Sequence, residues 1–97
     1  MHGSAPRSTI TLRALPGATI SLPLVDPDIS RMVRATAEAI AERTGVRLIS
    51  LESDDESVTA MLEGPQLVAI GFAAELRRVT DAWHERKFGM PLWGAPT

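Results

Sequence analysis

Cysteine is absent from this 97-residue chain, and so is tyrosine. Without a thiol there is no disulfide staple, no thiolate metal site and no cysteine nucleophile. Aromatic residues are scarce, and all four of them (Phe72, Trp83, Phe88 and Trp93) lie in the last 26 residues. The stretches that read as strands therefore carry none, which removes the stacking platform on which an α+β sheet face holds single-stranded RNA. Neither sign of charge dominates: twelve acidic residues face ten basic ones, for a net charge of −2. No field is left to draw the chain toward nucleic acid or anionic lipid. No apolar run approaches the ~18 residues that a membrane span needs. The opening "MHGSAPRST" lacks the apolar centre of a signal peptide. These absences set the expectation of a cytoplasmic protein with no nucleic-acid and no membrane partner.

A chain of this length makes one domain, and its core is small enough that oligomerisation is a common supplement to its stability. The expected organisation is a disordered leader over residues 1–8, a single domain over 9–89 and a C-terminal tail over 90–97.

Within the domain, "STITLRAL" alternates Ile10, Leu12 and Ala14 against Thr9, Thr11 and Arg13, the period-two pattern of a half-buried strand. Pro16 and Gly17 then suit a type II turn, and "ATISLPLV" alternates again through Ile20, Leu22 and Leu24. The pair reads as a hairpin, with Pro23 marking an edge or an end because it cannot donate to a ladder. "DPDISRMVRATAEAIAERTG" reads as a helix with Asp26 as N-cap, Pro27 at the first helical position and Gly45 as C-cap. Ile29, Met32, Val33, Thr36, Ala37, Ile40 and Ala41 form its apolar stripe.

The pattern then repeats. "VRLISLES" and "SVTAMLE" read as strands around the polar "DDE", and "QLVAIGFAAELRRVTDAWHERKFG" as a helix ended by Gly89, with Phe72, Leu76, Val79 and Trp83 along one side. "LVAIGF" alone would also suit a buried strand; its continuation favours helix. Two strand–strand–helix units predict an α+β two-layer sandwich in the order β-β-α-β-β-α, a four-stranded antiparallel sheet with both helices on one face. That order is a circular permutation of the ferredoxin-like plait, a topological similarity that licenses no function.

Three clusters invite a chemical reading. Glu52, Asp54, Glu56 and Glu63 fall at offsets 1, 3, 5 and 12 of an EF-hand loop, but Ser57 stands where the sharp turn needs Gly and the flanks read as strands; a solvated hairpin turn explains them better. His84 has Asp81 three residues before it, the germ of a general base or an oriented metal ligand. The only other histidine is His2, so the favoured reading is an exposed His near a helix C-terminus. Arg77, Arg78, Arg86 and Lys87 alternate with Glu75, Asp81 and Glu85 at helix-pairing distance, as a salt-bridged helix face does. No phosphate loop and no nucleophile elbow occurs. No catalytic residue, metal or cofactor is expected, and the balance leans against an enzyme.

The apolar residues say more. "KFGMPLWG" places Phe88, Met90, Leu92 and Trp93 around a helix stop and Pro91, and large side chains contribute ~1.5–3 kcal/mol each when buried. The tail is expected to clasp its own fold or a partner. The second helix is apolar nearly all round in its first half, which implies burial on every side, with Gly71 allowing close approach of the other helix. Leu67, Ile70, Phe72, Phe88, Met90, Leu92 and Trp93 are thus the candidate interface of a non-catalytic, homodimeric assembly module that docks a larger protein partner. The alternative is a small-ligand binder or minor enzyme with a pocket between sheet and helices, lined by Met61, Asp81, Trp83, His84 and Arg86.

Overall fold

A computed structural model describes residues 6–15 and 23–93. Strand β1 spans Arg7–Arg13 and helix α1 Pro27–Thr44; strands β2 (Leu48–Ser53) and β3 (Ser57–Glu63) form a hairpin, and helix α2 covers Gln66–Phe88. Among the described residues the strands form one three-stranded sheet in the order β1-β3-β2, with β1 and β2 each antiparallel to β3. The two outer strands are therefore parallel to each other, and α1 is the crossover between them. This is the split β-α-β arrangement.

The four-stranded sheet expected from the sequence is therefore corrected to three strands, and the permuted plait to an unpermuted order, β-α-β-β-α. The alternation of Ile20, Leu22 and Leu24 predicts the second strand. At its end Pro23–Val25 forms a 3₁₀ turn instead, with Pro23 and Leu24 buried. Pro23, which the sequence marks as an edge or an end, opens this turn, its ring fixing φ. The rest of the expected hairpin, residues 16–22, lies outside the described residues.

β1 runs in unbroken register with β3, from Arg7 opposite Glu63 to Arg13 opposite Ser57. β2 shifts register between Leu48 and Ser50, so Ile49 is the odd residue out. The alternation assigns the faces. Leu12, Val58, Ala60 and Leu62 are buried toward the helices. Thr9, Thr11, Met61 and Thr59 lie on the other face, where the Thr11 and Thr59 hydroxyls sit 3.1 Å apart.

α1 starts where its N-cap demands. The Asp26 carboxylate accepts from the Asp28 amide at 2.8 Å, satisfying one of the orphan donors of the first turn, and Gly45 ends the helix. Ile29, Val33, Ala37, Ile40 and Ala41 are its buried side. α2 buries Ala69, Phe72, Leu76, Thr80 and His84. The two helices pack on each other and are joined at the surface by Arg43 of α1 to Glu75 of α2, 2.7 Å; Glu75 also pairs within α2 with Arg78, 2.9 Å.

The buried positions of α2 differ from the expected stripe. Val79 and Trp83 are only half-buried, and the ridge instead runs at intervals of four through Phe72, Leu76, Thr80 and His84. An apolar count passes over Thr80 and His84. Their polar atoms are tolerated inside because the chain that follows Gly89 brings them partners.

Candidate functional site

After α2 the chain turns at Gly89 and lies back along the helix. Leu92 and Trp93 become 0 % and 2 % exposed. Three α2 side chains hold this segment. The Thr80 hydroxyl donates to the Leu76 carbonyl at 2.5 Å and accepts from the Trp93 indole Nε1 at 2.7 Å. One Asp81 carboxylate oxygen accepts the backbone amides of Leu92, 2.8 Å, and Trp93, 3.1 Å. His84 Nδ1 lies 2.6 Å from the Met90 carbonyl; a carbonyl only accepts, so Nδ1 carries the proton. Beyond α2, the Leu92 carbonyl accepts from the Leu15 amide at 2.8 Å, and Trp93 bridges Ala14 in antiparallel fashion. The segment thus joins α2 to the end of β1. Each buried polar atom named here has a partner, which is the condition for burial without a net penalty.

This geometry decides what His84 and Asp81 can do. His84 is 4 % exposed, against the expectation of an exposed residue at a helix end. Its partner is a backbone carbonyl, and Asp81 points its carboxylate at two amides. The carboxylate–imidazole pair read from the i−3 spacing does not form, and both groups act as backbone anchors.

The other residues of the ligand-pocket reading are scattered. Met61 pairs with Thr9 on the sheet face turned away from the helices, so it shares no cavity with Trp83. The Trp83 ring is half-buried, edge-on to Phe88 with centroids 6.3 Å apart, and Lys87 Nζ lies 5.1 Å over it. Arg86 is exposed. A shallow depression of about 390 Å³ lies at the far corner, lined by Glu38, Ala41, Glu42, Gly45, Val46 and Leu48; it contains none of the candidate ligand-pocket or interface residues.

The acidic hairpin is explained by its turn. Asp54 accepts from the Glu56 and Ser57 amides, both at 2.8 Å, and from the Ser57 hydroxyl. These bonds, the Glu56 amide first, hold its carboxyl below the usual range, because they favour the charged form. Among the described residues no group of three His, Cys, Asp or Glu is arranged to hold a metal ion. Glu75 is likewise held low, first by its hydrogen bond from Arg78, and Arg78 is raised by the same partner. The basic residues of α2 are thus partly committed to ion pairing.

The interface candidates divide in two. Phe72, Leu92 and Trp93 are buried within the chain and Met90 is half-buried. Leu67 is 77 % exposed, Ile70 55 % and Phe88 48 %. Leu67 and Ile70 lie on the outer side of α2 with Gly71 and Ala74, both exposed. Open space lies where a Cβ on Gly71 would point, so the close approach of α1 expected there does not occur. The helix expected to be covered on every side presents one apolar strip to the outside, because α1 and the sheet cover only two sides of it.

No family model matches the chain, and no curated protein matches it. A crystal structure of a chain from Deinococcus radiodurans R1, described as "a putative transposase", is similar in fold: the TM-score is 0.70 at 18 % sequence identity, over 98 % of this chain and 77 % of that one. At that identity the likeness shows a shared fold and nothing further. Among the described residues no helix is long and apolar enough to cross a membrane.

Proposed function

We propose that this chain is a non-catalytic interaction module that assembles as a homodimer and docks a larger protein partner. The observation that carries the reading is the pair of exposed side chains Leu67 and Ile70, 77 % and 55 % open on one side of a helix. Single exposed apolar residues are ordinary, but several contiguous ones mark contact surfaces. The groups that could have supported chemistry are otherwise engaged: Asp81 and His84 hold the tail, and Asp54 holds a turn. The ligand-pocket alternative draws less support, since Met61 and Trp83 stand on opposite sides of the sheet. The activity in the neighbour's description belongs to that protein. The present reading rests on this chain's own surface.

Thermal unfolding of the full chain as a function of protein concentration tests it. An assembling module gains stability with concentration, by mass action, and Leu67→Glu removes that dependence while leaving the dilute-solution Tm unchanged. A Tm that does not move with concentration but rises with an added small molecule would favour the pocket reading.

A further inference from the structure

We infer that the outer edge of β1 is a docking lane for an extended, acidic segment of a partner protein, which adds to the sheet as a further antiparallel strand. The inference rests on the partner-docking half of the reading above and names its surface; it does not depend on the homodimer.

The backbone pattern fixes which groups face outward. Ala14 donates its amide to the Glu56 carbonyl at 2.8 Å, and the Pro6 carbonyl accepts from the Gly64 amide at 2.6 Å. In the unbroken β1–β3 register, even-numbered residues therefore turn their amides and carbonyls toward β3. Arg7, Thr9, Thr11 and Arg13 turn theirs away. Leu15 continues that parity, and its outward amide meets the Leu92 carbonyl where Trp93 bridges Ala14. An antiparallel ladder thus begins at one end of this edge. Among the described residues, no backbone group pairs with the outward amides and carbonyls of Arg7, Thr9 and Thr11.

The two edges of the sheet differ. In β2 the register shifts between Leu48 and Ser50. The Asp54 amide on the Ser57 carbonyl, 3.0 Å, sets the parity by which Leu51 faces outward, and Arg34 donates to the Leu51 carbonyl at 3.0 Å. Bulges and covering side chains keep a sheet edge from taking on another strand. β1 has no register shift and no proline.

What β1 carries is charge of one sign. Arg7 and Arg13 stand exposed at its two ends, with Thr9 and Thr11 between them on the same sheet face. Glu63 lies opposite Arg7 on β3, yet neither arginine belongs to an ion pair among the described residues. Two copies of β1 set antiparallel over their full length would place Arg7 opposite Arg13 twice, and like charges facing each other across a ladder are destabilising. An acidic strand meets the same side chains with attraction. Nucleic acid has no alternating backbone donors and acceptors with which to continue the ladder.

Amide exchange and chemical shifts, read residue by residue by NMR on the full chain, test the inference. In the free chain the Thr9 and Thr11 amides should exchange fast, while those of Ile10 and Leu12 are protected. The probe is a blocked octapeptide alternating Thr and Glu, whose extended form presents its carboxylates on one side; its counterpart alternates Thr and Lys. The Glu peptide is expected to shift and protect the Thr9 and Thr11 amides, binding roughly tenfold more tightly than the Lys peptide. Thr11→Pro removes an outward N–H and no bond to β3, so it should abolish binding with the fold intact. Should that variant not fold, Arg7→Glu combined with Arg13→Glu replaces it and should reverse the preference to the Lys peptide. Thr9 and Thr11 amides already protected in the free chain, or left unprotected by the Glu peptide, overturn the inference. A thymidine oligonucleotide of equal charge that shifts Arg7 and Arg13 where the peptide does not also overturns it, and assigns the arginines to nucleic acid. Solution mass on the same samples separates the readings: a dimer with unprotected amides sinks the docking lane alone, and a monomer with protected amides sinks the homodimer alone.

Discussion

The indole N–H of Trp93 donates to the hydroxyl of Thr80 at 2.7 Å, and that hydroxyl in turn donates to the Leu76 carbonyl one helical turn back. One buried relay thus ties the end of the described chain to the middle of α2. Trp93→Phe keeps most of the buried ring and removes the donor. A loss of about 1–2 kcal/mol is expected, the cost of an unmade buried hydrogen bond, read as a lowered midpoint in urea unfolding. Trp93→Ala is expected to cost ~3–5 kcal/mol. Phe88→Ala, at a part-exposed position five residues earlier whose ring meets Trp83 and His84, should cost only about 1 kcal/mol. Equal effects at positions 88 and 93 would contradict the placement of the tail.

Asp81 accepts two backbone amides with one carboxylate oxygen. Asp81→Ala leaves both amides without that acceptor and is expected to destabilise the fold by about 2–4 kcal/mol, since hydrogen bonds to charged groups contribute ~1.5–3 kcal/mol each and are not fully additive here. Asp81→Asn retains a carbonyl acceptor and should fall between the two. Amide hydrogen exchange at Leu92 and Trp93 is the direct readout: protection should be lost in the Ala variant before α1 or the β2–β3 hairpin is affected.

Gly89 ends α2 in the left-handed region, at φ 76°, with its amide donating to the Glu85 carbonyl at 2.8 Å. No atom stands where its Cβ would go, so Gly89→Ala introduces backbone strain without a clash. The expected cost is about 1 kcal/mol, measurable by denaturant titration, with the α2 end and the tail moving together.

The turn carboxylate Asp54 gives the pH prediction. Its carboxyl is lowered in the folded state, so the folded form binds this proton more weakly than the unfolded chain does. The stabilisation is complete above the unfolded value of about 4 and is lost as pH falls through the lower folded value. In Asp54→Asn, unfolding free energy plotted against pH should be flatter below pH ~4 than in the parent. Curves of identical slope would mean that the amides of Glu56 and Ser57 do not hold the charged form.

Much of this fold could be read from the chain because its signals are local. Asp26 and Gly45 bound α1, and the alternation of Val58, Ala60 and Leu62 places β3; both depend on neighbours a few residues away. The misreadings are non-local. The polarity of Thr80 and His84 hid their burial, since the partners that permit it come from Met90 and Trp93, six and thirteen residues on. Their spacing of four from Phe72 and Leu76 was the available signal, and it points to a side of α2 that an apolar count misses. Pro23–Val25, where the alternation continues in sequence as far as Leu24, forms a 3₁₀ turn, as the mark of an edge or an end at Pro23 allows. As for the candidate site, the apolar excess of α2 was legible, and its division between a covered and an open side was not, because that depends on where α1 and the sheet come to rest.

The central claim, that the open side of α2 joins two copies, is tested most directly by the solution mass of the unaltered chain, from light scattering on a sizing column over a wide dilution series. The account predicts twice the monomer mass at high concentration, falling toward the monomer on dilution and at all concentrations in Leu67→Glu. A monomer throughout, in parent and variant alike, would contradict it.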